Sequence, residues 1–300
     1  MMKKKVHLVL GSGGARGIAH IGVIEQLEKE GFEIVEVIGC SMGAVVGGIY
    51  CAGQLSEYKE WLFTLTKKRV FELLDFTFTG QGFVKGERLF SKHMEVTGPQ
   101  HIEDFKIPFT AVATDMKHNE EVYFKEGDLF KALRASVSIP GIFTPVVYDG
   151  KVLVDGGVLN PLPINLVNKQ DDAIVVAVDI NSRTIIEELL LKRNEKEVHK
   201  PSWFENLLPN SIKELARSEP KEDEPEKESF NLFELMESTF SFTQDQLTKV
   251  MIEYHQPDIL VRIPRNTCDT FEFHKARDLV NVGERAYKHA MQEYKTKLGH

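Results

Sequence analysis

Short apolar runs of strand length alternate along this chain with longer stretches in which apolar residues recur every three or four positions. Residues 6–10 form the first run, and Gly11, Gly13, Gly14 and Gly17 follow it closely. Residues 15–30 then read as a helix with Gly31 in the C-terminal capping position. Its first half, with Ile18, Ala19, Ile21, Gly22, Val23 and Ile24, is apolar nearly all round, the pattern of a helix packed on two sides. A second strand at 34–38 and a second helix at 42–52 complete a βαβα opening, which predicts a parallel sheet joined by right-handed crossovers. Further strands are expected at 109–113, 152–154, 173–178 and 259–263, with helices at 57–66, 87–93 and 128–135. The alternation predicts an α/β fold: a three-layer α/β/α sandwich around a mostly parallel central sheet, with helices at the C-terminal end.

Length and composition fit one domain over residues 1–300, with a core at 5–181 and 257–298. An insertion at about 185–230 interrupts that core. Within it, residues 218–229 are almost entirely Glu, Asp, Lys, Pro and Ser, too little apolar surface to offset chain entropy, so a mobile loop is expected there. A long amphipathic helix should follow, with Phe233, Met236, Phe240, Thr243, Leu247, Val250 and Tyr254 at three- and four-residue spacing. Residues 37–56 carry no charge and are long enough to span a bilayer. However, five glycines and a β-branched start fit a buried strand turning into a buried helix better. Lys3, Lys4 and Lys5 precede an apolar run too short for a signal-peptide core.

Charge narrows the partners. A formal net charge of -8 leaves no basic excess for neutralising phosphates, so no nucleic acid is expected. Cys40, Cys51 and Cys268 are odd in number and widely spaced, which suggests neither a disulfide framework nor a metal site. A reducing, cytoplasmic compartment fits that cysteine usage.

Three glycine-bearing motifs carry the candidate chemistry. Gly39-Cys40-Ser41-Met42-Gly43 is a G-x-S-x-G sequence entered by a β-branched strand and left by a small-residue helix, the context of a nucleophile elbow. Such an elbow holds its serine in a strained turn, and the helix N-terminus behind it favours developing negative charge. Gly11-Ser12-Gly13-Gly14-Ala15-Arg16-Gly17 can turn several backbone N–H groups inward, as a phosphate cradle or as an oxyanion hole. A Walker-type loop would end in Lys and then Ser or Thr, where Arg16 and Gly17 stand. A dinucleotide site would need an acidic residue at the end of the second strand, which instead runs into Ser41, so the oxyanion reading is preferred. Asp155-Gly156-Gly157 places a carboxylate at the carboxyl end of a strand, where ligands bind in open α/β sheets.

In that order, these three motifs resemble the defining blocks of the patatin-like phospholipase family. A fourth, Ala135-Ser136-Val137-Ser138-Ile139-Pro140-Gly141, is similar as well, as are Asn160-Pro161 and Gly82-Phe83-Val84-Lys85-Gly86. The resemblance covers residues 5–178. It implies a Ser–Asp dyad that cleaves lipid or other acyl esters: Ser41 as nucleophile, Asp155 as base, and the N–H groups of Gly13, Gly14 and Ala15 as oxyanion donors, with no cofactor. Gly11, Arg16, Gly17, Gly39, Gly43, Gly156 and Gly157 would shape the motifs, with Arg16 bracing the glycine loop in preference to attracting an anionic headgroup.

Some alternatives stay open from sequence. A conventional triad would need one of His199, His255, His274, His289 or His300, for which surface or packing roles fit better. A nucleotide-binding Rossmann-type protein and a silent lipid-binding member of the same fold are the other functional readings. The aromatic stretch Trp61, Leu62, Phe63, Phe71, Leu74, Phe76 and Phe78, beside Lys67, Lys68 and Arg69, reads first as core packing and second as peripheral contact with a membrane. The apolar stripe at 233–254 is weighed in the same way, with an acyl-chain groove as its second reading.

Overall fold

In the computed structural model the described residues are 4–73, 98–168, 172–184, 186–191 and 232–299, together with 75, 84–86 and 88. The expected helix at 87–93 and the expected mobile loop at 218–229 lie outside them, apart from Arg88.

β-Branched and apolar runs become β1 (Lys5–Leu10), β2 (Glu33–Cys40), β3 (Phe109–Asp115), β6 (Lys151–Asp155), β7 (Ile174–Ser182) and β8 (Ile259–Pro264). Two short strands complete the sheet, β4 (Glu120–Phe124) and β5 (Val146–Tyr148). The strand order is β5-β6-β3-β2-β1-β7-β8, with β4 also on β3. β1 pairs in parallel with β2 and β7, β2 with β3, and β7 with β8, whereas β4 and β6 run antiparallel to β3.

Alternation along the central strands separates the two faces of the sheet. Val6, Leu8 and Leu10 of β1 and Val176, Val178 and Ile180 of β7 join the larger core, which is covered by α1 (Ala19–Lys29), α2 (Met42–Cys51) and α7 (Ala276–Lys297). Val9, Val175 and Ala177 point the other way, onto Leu162, Ile164 and Ile252. Ile252 belongs to α6 (Leu232–His255), so helices flank both faces. The remaining helices are α3 (Leu55–Phe63), α4 (Lys67–Leu73) and α5 (Leu129–Ser136). α1 is preceded by a 3-10 turn, Gly14–Ile18, where one continuous helix was expected, and it buries Ile21, Val23, Ile24 and Leu27 fully. The uncharged stretch 37–56 divides into β2 and α2, and among the described residues no helix is long and apolar enough to cross a membrane.

The aromatic stretch packs as expected where it is described: Leu62 is buried, Trp61 and Phe63 pack against the core, and Arg277 lies over the Phe63 ring at 4.2 Å. Leu74, Phe76 and Phe78 lie outside the described residues. α6 departs from expectation. Val250 and Tyr254, expected on its packed stripe, are exposed, and its buried residues include Gln244, Asp245 and Thr248. The surface beneath is polar: Gln244 bonds to Ser12, and Asp245 to Arg183 and Arg265. A helix laid over such a rim buries the side that can satisfy it.

Candidate active site

The sheet registers determine which motifs meet. β4 occupies one edge of β3 along Ala111–Asp115. The opposite edge is shared end to end: β2 pairs with its first part, Cys40 opposite Val112, and β6 arrives antiparallel on the second, Asp155 opposite Ala113. Two strands running toward each other thus stop at neighbouring residues of β3, which brings their carboxyl ends together.

Ser41 forms the turn between β2 and α2 at φ 54° and ψ -124°. A non-glycine residue in this region carries about 1–3 kcal/mol of strain, so its surroundings must impose it. Gly43 admits the tight turn, because a Cβ there would overlap the carbonyl oxygens of Leu10 and Gly11. The first turn of α2 therefore presses on the end of β1, with its unpaired N–H groups behind Ser41. The Ser41 N–H donates to Ser136 Oγ at 2.9 Å, and that hydroxyl donates to the Val112 carbonyl at 2.6 Å.

Asp155 is fully buried at the end of β6. Its N–H donates to the Ser138 carbonyl at 2.9 Å, and its Oδ1 accepts from the Gly157 N–H at 2.7 Å. The Cys40 thiol lies 3.9 Å from the same oxygen, and burial together with that carboxylate keeps the thiol protonated. Burial pushes the Asp155 carboxyl up to about 6, against the pull of hydrogen bonds from Ser41, Gly157 and Cys40. Asp155 Oδ2 is buried and has no hydrogen-bond partner of ordinary geometry among the described residues. Loose alignment before substrate binds is usual for a nucleophile and its base.

The glycine loop closes the third side. Gly11 donates to Val178 O at 3.1 Å, Ser12 to Pro161 O at 2.9 Å and Ala15 to Thr270 O at 2.8 Å. The Ala15 N–H, expected among the inward-facing donors, is thus committed to the loop's own support. Gly13 and Gly14, the latter at φ 58°, have N–H groups with no protein acceptor among the described residues. Arg16 braces the loop as expected, donating to the carbonyls of Arg265 and Cys268 and to Asn181 Oδ1. Asn181 in turn donates to Ser12 O at 2.7 Å.

Several contributors gave no sequence signal. Buried His20 holds Gly11 O at 3.0 Å, and burial lowers its pKa to about 4, opposed by that bond, so the neutral ring donates from Nε2. Asn181 and Gln244 sit in segments without a chemical pattern, and Ser136 was marked only by its place in the fourth motif. Of the histidines weighed for a triad, His289 faces Glu293 and His255 stands edge-on to Tyr254. Among the described residues, the donors to Asp155 are Gly157, Cys40 and Ser41, with no histidine among them. His199 and His300 lie outside the described residues. At the β3–β4 turn, Asp115, His118 and Glu120 bring ligand atoms within 4.8 Å of one another. There the Asp115 carboxylate already accepts from His118 Nδ1 and from the N–H groups of Lys117 and Val152, a turn-fixing arrangement.

Comparison with known proteins adds the following. The sequence model of the family described as patatin-like phospholipase matches residues 8–167. An NTE family protein of Mycobacterium tuberculosis is 32% identical over 97% of this chain and 92% of its own length, and one of Mycobacterium bovis matches equally. The lysophospholipase NTE1 of Debaryomyces hansenii is 30% identical over 61% of this chain, a match spanning 12% of that protein. Among solved structures, VipD from Legionella pneumophila aligns over 97% of this chain and 67% of its own, at 12% identity and a TM-score of 0.46.

Proposed function

The chain belongs to the patatin-like phospholipase family, and from that premise we propose that it hydrolyses lipid carboxylic esters through a Ser41–Asp155 dyad. The observation that carries this reading is the meeting of β2 and β6 on one edge of β3, which sets a strained serine beside a buried carboxylate.

Ser41 Oγ attacks the ester carbonyl and gives its proton to Asp155. The N–H groups of Gly13 and Gly14 receive the oxyanion, aided by the N-terminus of α2. Collapse expels the alcohol, which takes the proton back from Asp155 and leaves an acyl-serine. Water then attacks that ester with Asp155 again as base, releasing the fatty acid and restoring Ser41. A carboxylate with a pKa of about 6 is a better base than an ordinary one near 4, because burial has removed the water that would stabilise its charge. The glycine-loop N–H groups, bound to no nucleotide phosphate in this reading, supply the electrostatic share of the rate gain.

Lysophospholipids are the first substrates to examine, since the fungal relatives carry that activity in their names. The test is hydrolysis of lysophosphatidylcholine and of a p-nitrophenyl acyl ester by the wild-type chain and by Ser41→Ala. Activity lost in the variant, together with covalent labelling of Ser41 by a fluorophosphonate, is the expected result. A folded Ser41→Ala that still hydrolyses either ester overturns the assignment.

A further inference from the structure

One short peptide touches both halves of the site without sharing in its chemistry. Residues 136–138 run from the last residue of α5 into the segment after it, and all three are buried. Ser136 Oγ accepts the N–H of Ser41 and donates to Val112 O, the β3 residue opposite Cys40. Two residues later, the Ser138 carbonyl accepts the N–H of Asp155, the β6 residue opposite Ala113. The peptide therefore spans the junction where β2 and β6 meet, one grip on each strand end.

The outer side of this peptide is fixed as well. Arg134 donates to Ser138 Oγ at 2.6 Å, to Lys85 O at 2.8 Å and to both oxygens of Thr144, and its guanidinium lies over the Phe143 ring. Rigidity matters because Ser41 holds a positive φ that no local preference supports. With its N–H pinned, the peptide plane entering the turn cannot rotate, and the direction of the Ser41 side chain follows from it. A hydroxyl can accept from one backbone group and donate to another at the same point, which alanine cannot do and threonine retains.

We propose that Ser136 is a positioning residue, which with the Ser138 carbonyl yokes the nucleophile to its base and sets their separation. This rests on the Ser41–Asp155 reading, and the experiment keeps the two apart. Hydrolysis of a p-nitrophenyl acyl ester and the rate of fluorophosphonate labelling at Ser41 are measured for wild type, Ser136→Ala and Ser136→Thr, alongside thermal melts. In Ser136→Ala, kcat should fall by about 10- to 100-fold with KM within about twofold, since misplacing a reacting group by less than 1 Å costs rates of that order. Labelling should slow by the same factor, while the acid limb of the pH profile stays in place because Asp155 keeps its environment. Ser136→Thr should recover to within about threefold of wild type. Should Ser136→Ala not fold, Ser136→Cys serves in its place, a near-isosteric side chain that bonds weakly, with the same fall in kcat expected. Wild-type kcat and labelling in a folded Ser136→Ala or Ser136→Cys overturn the yoke, as does a loss that merely tracks the unfolded fraction. A wild-type chain that does not label at Ser41 overturns the dyad reading instead.

Discussion

Gln244 donates from Nε2 to the Ser12 hydroxyl at 3.3 Å, and its amide packs against Gly157, the residue two beyond Asp155. α6 thereby packs against the glycine loop and the turn after Asp155, beside a site in which Ser41 is 1% and Asp155 0% exposed. The proposed reaction requires an ester to reach that buried serine, and α6 is the element expected to give way. Breaking one neutral hydrogen bond is worth about 1 kcal/mol, or about fivefold in an opening equilibrium. Gln244→Ala should therefore raise kcat/KM for a short soluble ester by about that factor, with kcat for the acyl-serine step unchanged. Steady-state kinetics on p-nitrophenyl butyrate checks it, and an unchanged kcat/KM would show that α6 does not limit entry.

Protonation of Asp155 should set the acid limb of activity. With a carboxyl raised by burial to about 6, kcat/KM is expected to fall about tenfold per pH unit below that point and to level off above it. A pH profile between 4 and 8, on an ester whose own ionisation is constant, reads this directly.

The same carboxylate should weaken the fold that holds it. Its native pKa lies above the unfolded value of 3.8, so folding takes up a proton between pH 4 and 6, and stability falls as pH rises through that window. The difference amounts to about 3 kcal/mol at pH 7. Asp155→Asn keeps an oxygen for the Gly157 N–H and carries no charge. It should be inactive yet melt above wild type at pH 7, with the gap closing below about pH 4. Melting curves across pH for both chains test the sign.

Arg16 spans three acceptors, Arg265 O, Cys268 O and Asn181 Oδ1, with a planar fork that lysine lacks. Arg16→Lys should destabilise by about 2 kcal/mol and loosen the loop that presents Gly13 and Gly14. Chemical denaturation gives the first effect. A lower kcat with little change in KM gives the second, because the donors matter more in the transition state than in the bound ester.

What could be read from the sequence, and what could not, divides on physical lines. Ser41, Asp155 and the glycine loop were legible because elbows and N–H cradles demand glycine at fixed offsets. β4 was not: Glu120 and Glu121 give it no apolar alternation, since it lies on one edge of β3 with its side chains partly or fully exposed. β5, only three residues long, is equally silent. The covering face of α6 was misread because periodicity takes a buried face to be apolar, and Gln244, Asp245 and Thr248 are buried against polar partners. Ser136 was noticed only as part of a similar motif. Its role is a bond between distant backbones, 95 residues from Ser41, and no local pattern encodes that.

The shared edge of β3 makes that strand a ruler for the chemistry. Its pairings with Cys40 at Val112 and with Asp155 at Ala113 are one residue apart, a rise of about 3.4 Å. Lengthening the connections between strands, where most insertions fall, leaves that interval untouched. A residue inserted inside β3 at this junction would part the two strand ends by a full step and turn the following side chains to the opposite face. On the proposed dyad reading, the loops of this chain are therefore free to change while the separation of Ser41 and Asp155 is held by the pairings of β3.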